Sequence, residues 1–219
     1  MSAYFRYPET TKFGRVIPKN KIYEKASINT NLKNKIVNQI DKIIWQHKLS
    51  SDTINLQVTD ALKEIQIFDI ELKQDTLDED VLKAIDSAIP FPIIFQIKTK
   101  SKVQIKSAYK RVSEADTSKW IVDTYFSSSW IDIETQKEPL PSVLNLEKLY
   151  EKILKNLMPY NTSTNSSIKE QVETHKQLEK LQKQYEQLKA KRSKEKQFNK
   201  KVELNTELKA LKNQIDSLK

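Results

Sequence analysis

The apolar positions of this 219-residue chain fall into short periodic stretches, followed by one long helical pattern. Leu32, Ile36, Val37, Ile40, Ile43 and Ile44 recur at helical spacing. Thr30 or Asn31 is placed to cap the start, and the spacing predicts a helix that ends near Leu49. Residues 64–73, EIQIFDIELK, are β-rich. Ile65 and Ile67 share one face while Phe68, Ile70 and Leu72 share the other, so the expected strand is buried on both sides or bulged near Ile67. Residues 78–89 put Val81, Leu82, Ile85 and Ile89 on one helical stripe. Asp78, Glu79 and Asp80 suit the positive N-terminal end of that helix.

Residues 90–99, PFPIIFQIKT, read as a buried strand with proline at its start. Residues 102–109 alternate, and a hairpin across Thr99–Ser101 is expected. Residues 119–126 predict another strand, and Trp130, Ile131 and Ile133 a short edge. Leu146, Leu149, Tyr150, Ile153, Leu154 and Leu157 predict a closing helix halted by Pro159. The connection between residues 64 and 99 is long enough for a parallel crossover. The fold class is therefore α+β: a mixed, mainly antiparallel sheet with packed helices, followed by a long C-terminal coiled coil or helical hairpin.

Three segments follow: an α+β body over 1–159, a polar linker over 160–167, and a helical tail over 168–219. In the tail, Leu178, Leu181, Tyr185 and Leu188 make one apolar seam. Leu204, Leu208, Leu211, Ile215 and Leu218 make a second. The two are out of phase, which fits either a stutter in one helix or the bend of a hairpin. Both seams need a partner surface, so they are candidate partner-binding positions, with a homodimer through the C-terminal helices among the options.

Charge changes the picture at the two ends. The net charge is +9. Residues 1–30 carry +4 and residues 161–219 carry +6, while the body between is close to neutral. The break between the seams, KAKRSKEKQFNKK, holds Lys189, Lys191, Arg192, Lys194, Lys196, Lys200 and Lys201 against one acid. These seven are the candidate nucleic-acid contacts, of the sequence-nonspecific, salt-sensitive kind. Near the N-terminus Lys12, Arg15, Lys19 and Lys21 interleave with Phe13 and Tyr23, which reads as a strap with anchored aromatics and wet lysines.

Rare residues exclude several chemistries. There is no cysteine, two histidines and one glycine. Zinc sites built on thiolates or three histidines, P-loops and dinucleotide fingerprints are all excluded. No cofactor or metal is implied. No apolar run approaches a membrane span, and the opening MSAYFRYPETTKFGR lacks the apolar core of a secretory signal, so the expected compartment is the cytoplasm. His47 is expected at a helix C-terminus, in a structural role. His175 lies on the polar coil.

One enzymatic alternative stands. Glu71-Leu72-Lys73 is an E-x-K on a strand, the metal-and-lysine half of a PD-(D/E)xK nuclease constellation. The carboxylate would bind Mg²⁺ and the lysine would orient a water or stabilise developing charge. An upstream acid is also needed; Asp52, Asp60 and Glu64 are available, and Glu64 would face away from Glu71.

Several ordered stretches resemble the prokaryotic domain-of-unknown-function 4391 family: PETTKFGRVIPKNKIYEK, IIWQHKLS, EIQIFDIELK with IDSAIPFPIIFQI, and KEKQFNKKVELNTELKALK. The resemblance implies a companion of DNA methyltransferase and helicase components in restriction or phage-defence loci. It implies no catalytic residues. The expected function is a non-catalytic accessory subunit of such a complex, docked on a methyltransferase or helicase and touching DNA backbone. The alternatives are the Mg²⁺-dependent nuclease centred on Glu71 and Lys73, and a stand-alone homodimeric nucleic-acid-binding protein.

Overall fold

The computed structural model describes residues 3–26, 28–116, 119–159 and 166–218. The chain divides into two compact units, one ending at Met158 and the other starting at Pro159.

The first unit is built on a sheet in the order β2-β3-β4-β5-β6-β7. Its strands are β2 (Lys12–Val16), β3 (Ile40–Ser50), β4 (Glu64–Leu72), β5 (Ile93–Lys98), β6 (Lys102–Val112) and β7 (Trp120–Ser127). Only β4 and β5 run parallel; the other pairs in that order are antiparallel. The parallel pair is joined through α3 (Glu79–Ser87), the crossover expected from the sequence. A short β8 (Ile131–Asp132) pairs with β6, and β1 (Phe5–Arg6) pairs with β9 (Glu138–Pro139) in a separate two-stranded ribbon.

Both faces of β4 are buried, which explains its two apolar sets. Phe68 and Ile70 join Phe95 and Ile97 in a core that includes Ile22 of α1 (Lys19–Lys25), Ile36 of α2 (Thr30–Gln39), and Val81, Leu82 and Ile85 of α3. Ile65 and Ile67 alternate to the opposite face. There α4 (Leu146–Leu157) packs against β4, β6 and β7 and buries all six of its predicted apolar residues. Asn145 caps α4 by accepting from Lys148 N at 2.9 Å.

The segment after Leu32 differs from the expected helix. The helix stops at Gln39, and residues 40–50 form the eleven-residue strand β3. Ile40 and Ile43 mimic a helical interval because the register of β3 against β4 shifts between Ile40 and Lys42. That shift returns both to the core face, where they are buried. A second shift lies between Trp45 and His47, opposite Phe68 and Ile67, so the bulge expected near Ile67 sits in the neighbouring strand. The cap of α2 is Asn29, accepting from Leu32 N at 2.9 Å, in place of Thr30 or Asn31.

Of the N-terminal basic run, Lys12 and Arg15 lie on the edge strand β2, and Lys19 and Lys21 on α1. Phe13 packs on Trp45 with ring centroids 4.1 Å apart, and Arg15 lies 4.5 Å over the Phe13 ring. Gly14 takes φ +63° where the β2–β3 register shifts, a backbone shape that explains the chain's single glycine.

The second unit is a helical hairpin of α5 (Ile168–Lys194) and α6 (Phe198–Ser217). Ser167 and Glu170 form a reciprocal capping box at the start of α5. Most of the expected linker, 160–165, lies outside the described residues.

Candidate functional site

The hairpin settles the phase break between the two seams. It turns at residues 195–197, between α5 and α6, without glycine or proline. Glu195 makes the turn: its backbone is extended, and its carboxylate oxygen accepts from Lys196 N and Gln197 N, both at 2.8 Å. Those donated bonds hold its carboxyl below the usual carboxylate range, with Lys200 and Lys201 adding to the shift. Lys191, Arg192 and Lys194 fill the last turn of α5, where cations suit the negative helix end.

This geometry collects the basic segment at one end of the hairpin. Lys189, Lys191, Arg192 and Lys194 lead into the turn, Lys196 sits in it, and Lys200 and Lys201 follow in the first turn of α6. All are exposed except Lys201, which is half-buried. Phe198 stands among them, 77% exposed. Lys189 has Glu186 at 3.8 Å, a solvent-exposed pairing of little energetic weight.

The seams divide by burial. Leu178, Leu204, Leu208 and Ile215 are buried. Leu181, Tyr185, Leu188, Leu211 and Leu218 remain half-buried. An open groove lies between the helices, with Leu188, Ala210 and Leu211 along it and Gln184, Gln187 and Gln214 beside them.

Glu71 and Lys73 each have a partner of their own. Glu71 Oε2 lies 3.3 Å from Lys42 Nζ, and Lys73 Nζ donates to Val37 O at 2.8 Å. Of the upstream acids, Glu64 faces Lys48 at 3.5 Å and accepts from Gln66. The carboxylate that shares the Glu71 face is Asp69, two residues earlier on β4. Asp69 Oδ2 accepts from Lys98 Nζ at 2.6 Å, and its other oxygen is buried without a hydrogen-bond partner. Burial pushes the Asp69 carboxyl up, against the pull of Lys98 and Lys137. The sequence offered one signal for Asp69, its i, i+2 spacing from Glu71. Its pairing with Lys98 depends on the β4–β5 register. Among the described residues no three His, Cys, Asp or Glu side chains are grouped to hold a metal ion.

His47 lies in β3, not at a helix end. Thr11 Oγ1 donates its proton to Pro8 O at 2.6 Å, so the 2.9 Å contact with His47 is donated by Nδ1 of the ring. Tyr7 packs against the His47 ring, with centroids 5.0 Å apart. Burial pulls His47 down to about 4, helped by Lys137, Lys12 and Lys98 and opposed by Glu9. His175 pairs within α5 with Glu179 at 3.4 Å.

An α+β body carrying a basic-tipped helical hairpin is thus the class of protein the geometry defines. The chain belongs to the family described as Domain of unknown function (DUF4391), whose model matches residues 5–215. No curated protein and no solved structure matches it. No helix among the described residues is long and apolar enough to cross a membrane.

Proposed function

We propose that this protein is a non-catalytic accessory subunit that grips nucleic-acid backbone with the tip of its helical hairpin. The observation that carries the reading is the gathering of seven basic side chains around the turn at Glu195, with a single acid among them. Such a tip meets phosphates without reading sequence. Phe198, exposed amid the lysines, adds an apolar edge of the kind that stacks on or wedges between bases. The half-buried seam residues Leu181, Tyr185, Leu188 and Leu211 leave apolar surface for a protein partner. The family resemblance points to a DNA methyltransferase or helicase as that partner, in a restriction or anti-phage complex of the cytoplasm.

The test is a salt titration of binding to a labelled duplex. A tip that meets about four phosphates gives an affinity falling with salt at a log–log slope of about −4. Neutralising Lys194, Lys196, Lys200 and Lys201 to Gln should flatten that slope and leave the body folded. Absence of binding at low salt, or an unchanged slope in the variant, sinks the reading. For the partner, the tagged protein is purified from its host with nuclease treatment. A methyltransferase or helicase retained in stoichiometric amount supports the accessory role, and recovery of the protein alone removes it.

A further inference from the structure

A second site lies in the body, on residues the proposed function does not use. A cavity of about 290 Å³ opens beside α1 and the start of β5, walled by Trp45, Phe68 and Phe91, with Gln66 inside and Lys21 and Lys25 among its lining. That volume sits at the small end of ligand sites, which span ~300–1,000 Å³, so it suits one ring system. The partly exposed aromatic walls are Trp45 and Phe91; Phe68, 1% exposed, backs Trp45, parallel to it within 7° with centroids 6.1 Å apart.

Two polar features set the chemistry of the occupant. Gln66 is only 4% exposed. Its amide nitrogen donates to Glu64 Oε1 at 2.5 Å, and its amide oxygen accepts no hydrogen bond from any described residue. A hydrocarbon in the cavity would leave that acceptor unpaired in an apolar wall; a ring with an N–H edge would satisfy it. On α1, Lys25 is exposed and has no ion pair among the described residues, and Lys21 has only Glu24, at 3.5 Å. They supply cationic donors for an anionic group attached to that ring.

We propose that this cavity binds one nucleotide, with the base against the aromatic walls, an N–H of its edge on Gln66 Oε1, and its phosphate at Lys21 and Lys25. Two sources supply that chemistry: a free mononucleotide, or an unstacked nucleotide of a single strand. Stacking on aromatic faces with cationic contact to phosphate serves both.

The experiment reads Trp45 fluorescence in the full chain carrying Trp120→Phe and Trp130→Phe, titrated with AMP, adenosine, decanoate and a short oligo-dA. Saturable quenching by AMP, about tenfold tighter than by adenosine, is expected for a phosphate held by lysines. Lys25→Gln should shrink that difference several-fold without weakening adenosine. Gln66→Leu should weaken AMP and adenosine alike, and Lys25→Gln, being at an exposed position, keeps the test decisive if the Gln66 variant misfolds. Quenching by oligo-dA without AMP assigns the strand as source, and quenching by AMP assigns the free nucleotide. The titrations are repeated with the four tip lysines neutralised, where pocket quenching should persist even if duplex binding is lost. Preference for decanoate, or no quenching by any probe, overturns the proposal.

Discussion

Lys110 Nζ stands 2.9 Å from Asp86 Oδ1, with both side chains 1% exposed. The ammonium also donates to the carbonyls of Asp86 at 2.6 Å and Ile89 at 2.5 Å, while Tyr125 Oη donates to Asp86 Oδ2 at 2.7 Å. The arrangement ties the C-terminal end of α3 to β6 and β7. Burial pushes the Asp86 carboxyl up and the Lys110 ammonium down, and each charge opposes the other's shift. Every donor of the ammonium and both carboxylate oxygens have partners, so the cluster reads as structural. Lys110→Met strands a buried carboxylate and should cost about 3–5 kcal/mol in urea unfolding. Lys110→Met with Asp86→Leu should recover part of that loss. A single variant that unfolds like the wild type refutes the assignment.

The Asp69–Lys98 pair is less complete. Among the described residues, Lys98→Met removes the only hydrogen-bond donor on a carboxylate that is already missing a partner on its other oxygen. Stability should fall by about 2–4 kcal/mol, and Asp69→Asn in the same background should restore some of it. Chemical denaturation of the three proteins measures both steps.

His47 makes the fold sensitive to acid. Its folded value, about 4, lies below the ordinary 6.5. Between those values the unfolded chain binds more protons, so stability rises with pH there and is lost as pH falls from 6.5 to about 4. The ring is only half-buried, so solvent screening trims the effect to roughly 1–2 kcal/mol. Thermal melts across that window should show the loss in the wild type and a smaller one in His47→Gln.

Glu195 should matter only for the hairpin. Glu195→Ala removes the acceptor for two backbone N–H groups at the start of α6, where capping bonds are typically worth ~1 kcal/mol. Amide exchange at Lys196 and Gln197 should quicken, with β4 and β5 unchanged. Equal protection in both proteins would show that the turn stands without the carboxylate.

How far the sequence carried can be seen residue by residue. The stripe of α3, the stripe of α4 and the β4–α3–β5 crossover were legible because apolar spacing there matches a single period and one burial environment. Ile40, Ile43 and Ile44 misled, because a register shift in a strand reproduces the three-residue interval of a helix. The seven tip cations were legible as a run, and their collection around a turn was one of two options, beside a stutter in a single helix. No glycine or proline marks that turn; a carboxylate bonding to the two following amides does the work instead.

What the sequence by itself determined is the class of fold, the basic tail and the chemistry that rare residues exclude, since these follow from composition and local period. Tertiary structure alone decided the rest. Asp69 meets Lys98, and Trp45 lies parallel to Phe68 beside Gln66, because strand register brings together residues that local spacing cannot relate. Long-range pairing reflects the packing of the whole sheet, and no short window of the chain contains it.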